Sequence, residues 1–330
     1  MTAITVLAGG VGGARFTRGL REHLAGTDAV ITVIANTGDD MWLTGLRVCP
    51  DLDSIMYTLG GANDDVRGWG RVGESERVSA ELDAYGIGWP WFTLGDLDLG
   101  THITRSALLR DGLTLTEATE RLCARWNLGV RLLPVTDDEV ETNVEIIDPT
   151  DGARRVIHFE EWWVRHRAAV PARRFVQRGI ERAHATDAAV EAIGSADVVL
   201  VAPSNPVVSI GTLVAIPGIA GALAATAAPV VGVSPIIEGR AVRGMADACL
   251  AAIGVDATAG AVARHYGSRR SGGLLDGWLV DETDTAALPG IEGAGILAAA
   301  APLWMNDLPS SARLAGDALL LANRIGARIA

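Results

Sequence analysis

Residues 30–60, VITVIANTGDDMWLTGLRVCPDLDSIMYTLG, decide how this chain is read. The run Val30–Ala35 has the β-branched density of a buried strand and stops abruptly at Asn36-Thr37-Gly38-Asp39-Asp40. A second acidic turn, Pro50-Asp51-Leu52-Asp53, leads into a helix expected over Ser54–Leu59. Two carboxylate pairs on consecutive loops after a buried strand are costly unless something cationic lies between them. A hard metal ion that also grips a diphosphate is the natural occupant. Short acids serve equally as turn residues and helix N-caps, so the assignment needs support from the rest of the chain.

That support comes from the loops on either side. Thr5-Val6-Leu7-Ala8 reads as a strand, Gly9-Gly10-Val11-Gly12-Gly13 as a turn, and Arg15–Leu24 as a helix. This order presents free N–H groups to a phosphate at a helix N-terminus. A dinucleotide fingerprint does not fit, because Arg15 stands where the third glycine belongs and Asn36 where an NAD site offers an acid to the ribose. Farther on, Val198–Val201 ends in Ala202-Pro203-Ser204-Asn205-Pro206, and Pro229–Val233 ends in Ser234-Pro235-Ile236-Ile237-Glu238-Gly239-Arg240. Unbroken Val/Leu runs are what a parallel sheet covered on both faces requires. The four loops all follow the carboxyl end of an apolar strand, and in an open parallel sheet that edge binds ligands.

The expected fold is therefore α/β: a doubly wound, mostly parallel, Rossmann-like sheet in a single domain over residues 1–330. The middle of the chain breaks the alternation. Helices are expected over Ile103–Leu109 and Thr116–Trp126, then strands at Val130–Val135, Val140–Ile147 and Arg154–Phe159. Residues 60–185, approximately, are read as an α+β insertion. Trp162 and Trp163 within it would suit either a wall for a planar ring or ordinary core packing.

Composition narrows the function. A formal charge of −12 argues against nucleic-acid and anionic-membrane binding, while leaving a nucleotide substrate open. No apolar stretch reaches the ~18 residues of a membrane span. Three widely spaced cysteines suggest neither a disulfide framework nor a metal site. A cytoplasmic protein, working as a homodimer, is expected. All 28 basic residues are arginine, which rules out a Walker A lysine and a Schiff-base lysine. Phosphate recognition must come from arginine, backbone N–H groups and a metal.

Taken together in this order, Gly9–Arg15, Asn36–Asp40, Pro50–Asp53, Ala202–Pro206 and Ser234–Ile237 resemble the 2-phospho-L-lactate transferase family of coenzyme F-420 biosynthesis. Thr101-His102-Ile103 and His158-Phe159-Glu160 extend the resemblance over essentially the whole chain. It implies a magnesium-dependent transfer from a guanosine-diphosphate-linked three-carbon acid to the ribityl hydroxyl of the deazaflavin Fo, releasing GMP. Phosphoenolpyruvate is the implied group in actinobacterial members, 2-phospho-L-lactate in others. The resemblance implies that Asp53 and Thr93 meet Fo, with Asp53 and Asp40 catalytic and Asp40 and Asp51 on the metal. Gly10, Val11, Gly12, Gly13, Asn36, Ser204 and Asn205 would hold the donor and its phosphates, and the insertion would bind the acceptor. Three positions depart from the family pattern: Arg15 and Arg243 replace lysine, and Glu238 replaces glycine. The rival is a non-enzymatic UDP-sugar-binding regulator of the gluconeogenesis-factor type, which the Pro50–Asp53 turn and the aromatic insertion disfavour.

Overall fold

The structure is a computed structural model that describes residues 2–242 and 244–329; Arg243 lies outside the described residues. Seven strands form the main sheet: β1 Ala3–Ala8, β2 Val30–Ala35, β3 Arg131–Pro134, β4 Val198–Val201, β5 Val230–Val233, β6 Gly277–Val280 and β7 Leu297–Ala300. Their order is β3-β2-β1-β4-β5-β6-β7, and every neighbouring pair is parallel. The chain starts in the middle and winds outward first to one side and then to the other, which makes a switch point between β1 and β4.

Successive residues of each inner strand feed opposite cores. Val6, Ala8, Leu200 and Val231 pack into one cluster, while Leu7, Val199, Val201 and Val230 pack into the other. The period of two thus remains, but both faces are apolar because helices cover both. Strand β3 falls inside the stretch read as an insertion and forms an edge of the main sheet. The rest of that stretch includes an antiparallel sheet of Glu141–Ile147 between Arg154–His158 and Ala172–Arg178.

Three boundaries differ from expectation in ways that matter for the site. The first helix starts at Gly10 rather than Arg15 and runs to His23, so the glycines are its first turn. The next spans Pro50–Leu59 rather than starting at Ser54. Pro50 sits at its first position, where a fixed φ and a missing N–H carry no penalty, and Asp51 and Asp53 favour the positive end of the helix dipole. A third helix runs over Asp96–Arg110, well before the expected Ile103. Its first turns bury Asp98, Thr101 and His102, and that polar inner face disguises the helical pattern in the sequence. Among the described residues, no helix is long and apolar enough to cross a membrane.

Candidate active site

At the carboxyl edge of β1, β2, β4 and β5 the chain folds into two adjoining cavities, of about 130 and 320 Å³. Gly10, Val11, Asp51 and Trp163 line both.

The smaller cavity has a backbone floor. Gly10 takes φ +56°, a left-handed conformation that favours glycine. A Cβ on Gly12 would lie 2.5 Å from the Pro203 carbonyl oxygen, and one on Gly13 only 2.7 Å from Ala8 Cβ. These glycines allow the loops after β1 and β4 to press together. Ser204 locks them: its hydroxyl donates to the Gly9 carbonyl at 2.7 Å and accepts from the Gly9 N–H at 3.0 Å. The Ser204 side chain therefore holds the loop, and with the Gly10 amide turned to Asp51 the first-turn amides of Val11 and Gly12 are left to meet an anion. Asn205 also lines the cavity, but its Oδ1 accepts from the Val207 and Val208 N–H groups at 3.0 and 3.3 Å. Its Nδ2 donates to Cys249 Sγ at 3.4 Å, a weak acceptor that a ligand atom could replace.

Asn36, fully buried, joins the acids. Its Nδ2 donates to Asp51 Oδ2 at 2.9 Å and to Asp39 Oδ2 at 3.3 Å, and its Oδ1 accepts from the Gly38 N–H. Among the described residues neither of these aspartates, nor the nearby buried Glu160, has an ion-pair partner, and Asp39 Oδ1 is buried without a hydrogen bond. Burial pushes the Asp51 carboxyl up to about 6, against the pull of Asn36 and the Gly10 amide. Burial and then the charge of Asp51 push Glu160 up to about 8, and Asp39 is raised well above the ordinary range by burial, Asp51, Glu160 and Asp40. Asp39 and Asp51, held together by Asn36 and with one oxygen orphaned, are a carboxylate pair that fits a divalent cation, while among the described residues the group of three ligating side chains close enough to share an ion is Asp53, Asp98 and His102.

Asp40 is placed differently. It is 1% exposed, lines neither cavity, and lies 3.6 Å from Arg47 Nη2 beneath the turn. Burial raises its carboxyl to about 7 despite Arg47. The structure thus brings Asp39 beside Asp51 and turns Asp40 toward an arginine.

The larger cavity is aromatic, lined by Trp69, Trp91, Phe92, Thr93 and Trp163. Trp91 is stacked on Trp89 at 4.7 Å between centroids. Trp162 is instead a core residue, 1% exposed, with its indole N–H on the Val170 carbonyl. One end of the cavity is charged. Asp51 and Asp53 are two positions apart on one helix, about 200° around the axis, so only Asp51 reaches the smaller cavity while Asp53 lines the larger. Both Asp53 oxygens accept from Arg105, Oδ2 from Nη1 at 3.1 Å and Oδ1 from Nη2. His102 Nδ1 lies 3.6 Å from Asp53 Oδ2, and His102 Nε2 lies 3.3 Å from Asp98 Oδ2. Tyr57 donates to the other Asp98 oxygen at 2.6 Å. Burial pushes Asp98 up, but His102, the Tyr57 hydroxyl and Arg105 together bring it below its ordinary value.

Sequence reasoning placed Asp39 in one of the two acidic pairs around a metal without naming it a ligand, and assigned no role to Glu160, Asp98, His102 or Arg105. Asp98, His102 and Arg105 are spaced four and three apart, one face of a helix, and that signal was available. Glu238, at the family's glycine position, takes φ +50°, and its N–H donates to Asp284.

Residues 4–289 match the sequence model of the family described as 2-phospho-L-lactate transferase CofD. The chain belongs to the 2-phospho-L-lactate transferase family. This transferase is 55% identical to a Streptomyces coelicolor protein named phosphoenolpyruvate transferase, over 98% of each chain. It is 54% identical to a Nocardia farcinica protein of the same name, over 97% of this chain and 94% of the other. A Mycobacterium avium protein, again so named, is 51% identical over 97% of this chain and 98% of its own. A Bacillus halodurans structure described as a UPF0052 family member aligns with a TM-score of 0.64 at 15% identity, covering 96% of this chain and 98% of its own, and shares the fold.

Proposed function

We propose that this transferase moves a phosphoenolpyruvyl group from a guanosine-diphosphate-linked donor to the terminal ribityl hydroxyl of Fo, with GMP leaving, in coenzyme F-420 biosynthesis. The observation that carries the reading is the junction of an amide-floored, acid-lined cavity with a larger aromatic one at Gly10, Val11 and Asp51. A diphosphate suits the first and a planar deazaflavin the second, so the hydroxyl and the phosphorus would meet at their boundary. The names of the actinobacterial relatives favour phosphoenolpyruvate as the transferred acid.

Asp51 and Asp39 are the residues that would hold a magnesium ion, with Asn36 fixing both carboxylates. Bound there, the metal would neutralise diphosphate oxygens. The first-turn amides of Val11 and Gly12 would orient the donor, while Asp53, fixed by Arg105, would accept a hydrogen bond from the ribityl hydroxyl. Trp163, lining both cavities, would help exclude water from the junction. The test is incubation of the enzyme and Mg²⁺ with Fo and either donor, reading product masses. A phosphoenolpyruvyl product is expected, distinguishable from the phospholactyl product by one H₂. Formation of neither product sinks the proposal.

A further inference from the structure

We propose that Trp69, carried on a strap over residues 64–76, is the side chain that stacks on the planar ring of the acceptor, and that Glu74 is the positioning residue that holds the strap in place. The assignment rests on the transfer proposed above and adds to it the residues that select a flat aromatic acceptor.

Gly68, Trp69 and Gly70 line the larger cavity, yet Trp69 is 43% exposed. An indole that borders a cavity and stays this open to water is a surface for a planar ligand to cover. The other two indoles of the cavity are already engaged: Trp91 is stacked on Trp89, and Trp163 stands at the junction with the smaller cavity. Trp69 is backed by a cation, since the Arg67 guanidinium carbon lies 3.9 Å from its ring centroid. Arg67 does not line the cavity, so it covers the face turned away and leaves the other to a ligand. Arg67 is itself held by Glu76, its Nη2 donating to Oε1 at 2.8 Å. Gly68 and Gly70 take φ +83° and +71°, left-handed values that turn the chain sharply on either side of the indole.

Glu74 anchors this strap. Its side chain is buried; Oε1 accepts from the Arg71 N–H at 2.9 Å and Oε2 from the Asp98 N–H at 3.1 Å. The Asp98 N–H belongs to the first turn of the helix over Asp96–Arg110, where donors lack partners within the helix. The N-cap there is Gly95, which has no side chain to satisfy them, and a Cβ on Gly95 would fall on the Glu74 carboxyl. The glycine thus makes room for a cap supplied from the strap. Arg71 adds a second tie, its Nη1 donating to the Leu97 carbonyl at 3.0 Å while its guanidinium lies over the Tyr57 and Trp126 rings. One carboxylate therefore sets Trp69 in register with the helix that brings Asp98 and His102 to the same cavity.

The test titrates wild type, Trp69→Ala, Trp69→Phe and Glu74→Gln separately with Fo and with GDP plus Mg²⁺. Trp69→Ala is expected to weaken Fo binding about 10–100-fold and Trp69→Phe, which keeps a ring, to recover most of it, with GDP affinity unchanged in both. Glu74→Gln retains one of the two acceptors and should weaken Fo binding about 3–10-fold. Added to Trp69→Ala it should cost little more, because it acts through the indole. Wild-type Fo affinity in folded Trp69→Ala, or an equal loss of Fo and GDP binding, overturns the assignment of Trp69; full additivity of the two substitutions overturns that of Glu74. Should Trp69→Ala not fold, Trp69→Leu decides: weaker Fo binding supports the stacking role and unchanged binding overturns it. A wild type that neither binds Fo nor transfers would overturn the proposed function and this assignment with it, whereas an active wild type with undiminished variants overturns this assignment alone.

Discussion

The two cavities meet at Gly10 and Val11, yet their polar walls follow opposite electrostatic plans. At the smaller cavity Asp39, Asp51 and Glu160 are buried without an ion-pair partner among the described residues, and each is pushed toward its protonated form. At the larger cavity Asp53 and Asp98 are just as buried but are met by Arg105, His102 and Tyr57. The first arrangement lacks a countercharge among the described residues; the second has its own within the fold. A wall that lacks its countercharge should gain stability from a ligand, whereas one with its countercharge built in should lose stability when a partner is removed.

The largest expected effect tests the completed wall. Arg105→Leu leaves Asp53 buried and unpaired, and denaturant unfolding should show a loss of about 3–5 kcal/mol. A loss within error would mean that the wall of the larger cavity is no more compensated than that of the smaller.

Asp53→Asn is milder, because the amide keeps the shape but weakens the grip of Arg105. Transfer should slow by roughly 10²–10³, about 2–4 kcal/mol, with donor affinity preserved. Separate titrations with Fo and with GDP plus Mg²⁺ check this, and a loss confined to GDP would move Asp53 to the donor side.

The unfinished wall predicts an unusual pH dependence. A carboxyl whose folded-state value lies above its unfolded one binds its proton more tightly in the folded protein, so its contribution is full at low pH and is lost as pH rises through the folded value. For Asp51 that window runs from 3.8 to about 6, and Glu160 extends it to about 8. At about 1.4 kcal/mol per unit, Asp51 alone contributes up to about 3 kcal/mol. Metal-free protein should therefore lose stability between those limits, and Mg²⁺ should restore it at the upper end. Thermal melts across pH, with and without Mg²⁺, test this; melting that is insensitive to Mg²⁺ at pH 8 would contradict it.

The smallest effect concerns Asn205. Its Oδ1 caps the turn through the Val207 and Val208 N–H groups, so Asn205→Ala should cost about 1 kcal/mol of stability. Calorimetry should also show weaker donor binding. Lost stability with unchanged donor affinity would make it a turn residue alone.

The sheet was legible because its strands, such as Val198–Val201, are apolar on both faces, a pattern that only a doubly covered parallel sheet needs. The ligand edge was legible for the same reason, since each polar loop follows a strand end. The helix over Asp96–Arg110 was only half legible: its buried side carries Asp98, His102 and Arg105, and periodicity is read from apolar residues.

What the sequence by itself determined was the kind of sheet, the edge where its loops converge, and a chemistry limited to amides, arginine and acids by the absence of lysine. Only the tertiary structure decided which acid stands where. Asp39 and Asp40 are adjacent in sequence, but one joins Asp51 through Asn36 while the other turns to Arg47. Asp51 and Asp53 part in the same way, around the turn of a helix that Pro50 begins. The partners that set each role are 3 to 52 residues away along the chain, as Asn36 is from Asp39 and Arg105 from Asp53. Electrostatic character depends on burial and on neighbours a few ångströms away, and folding, not sequence adjacency, supplies both.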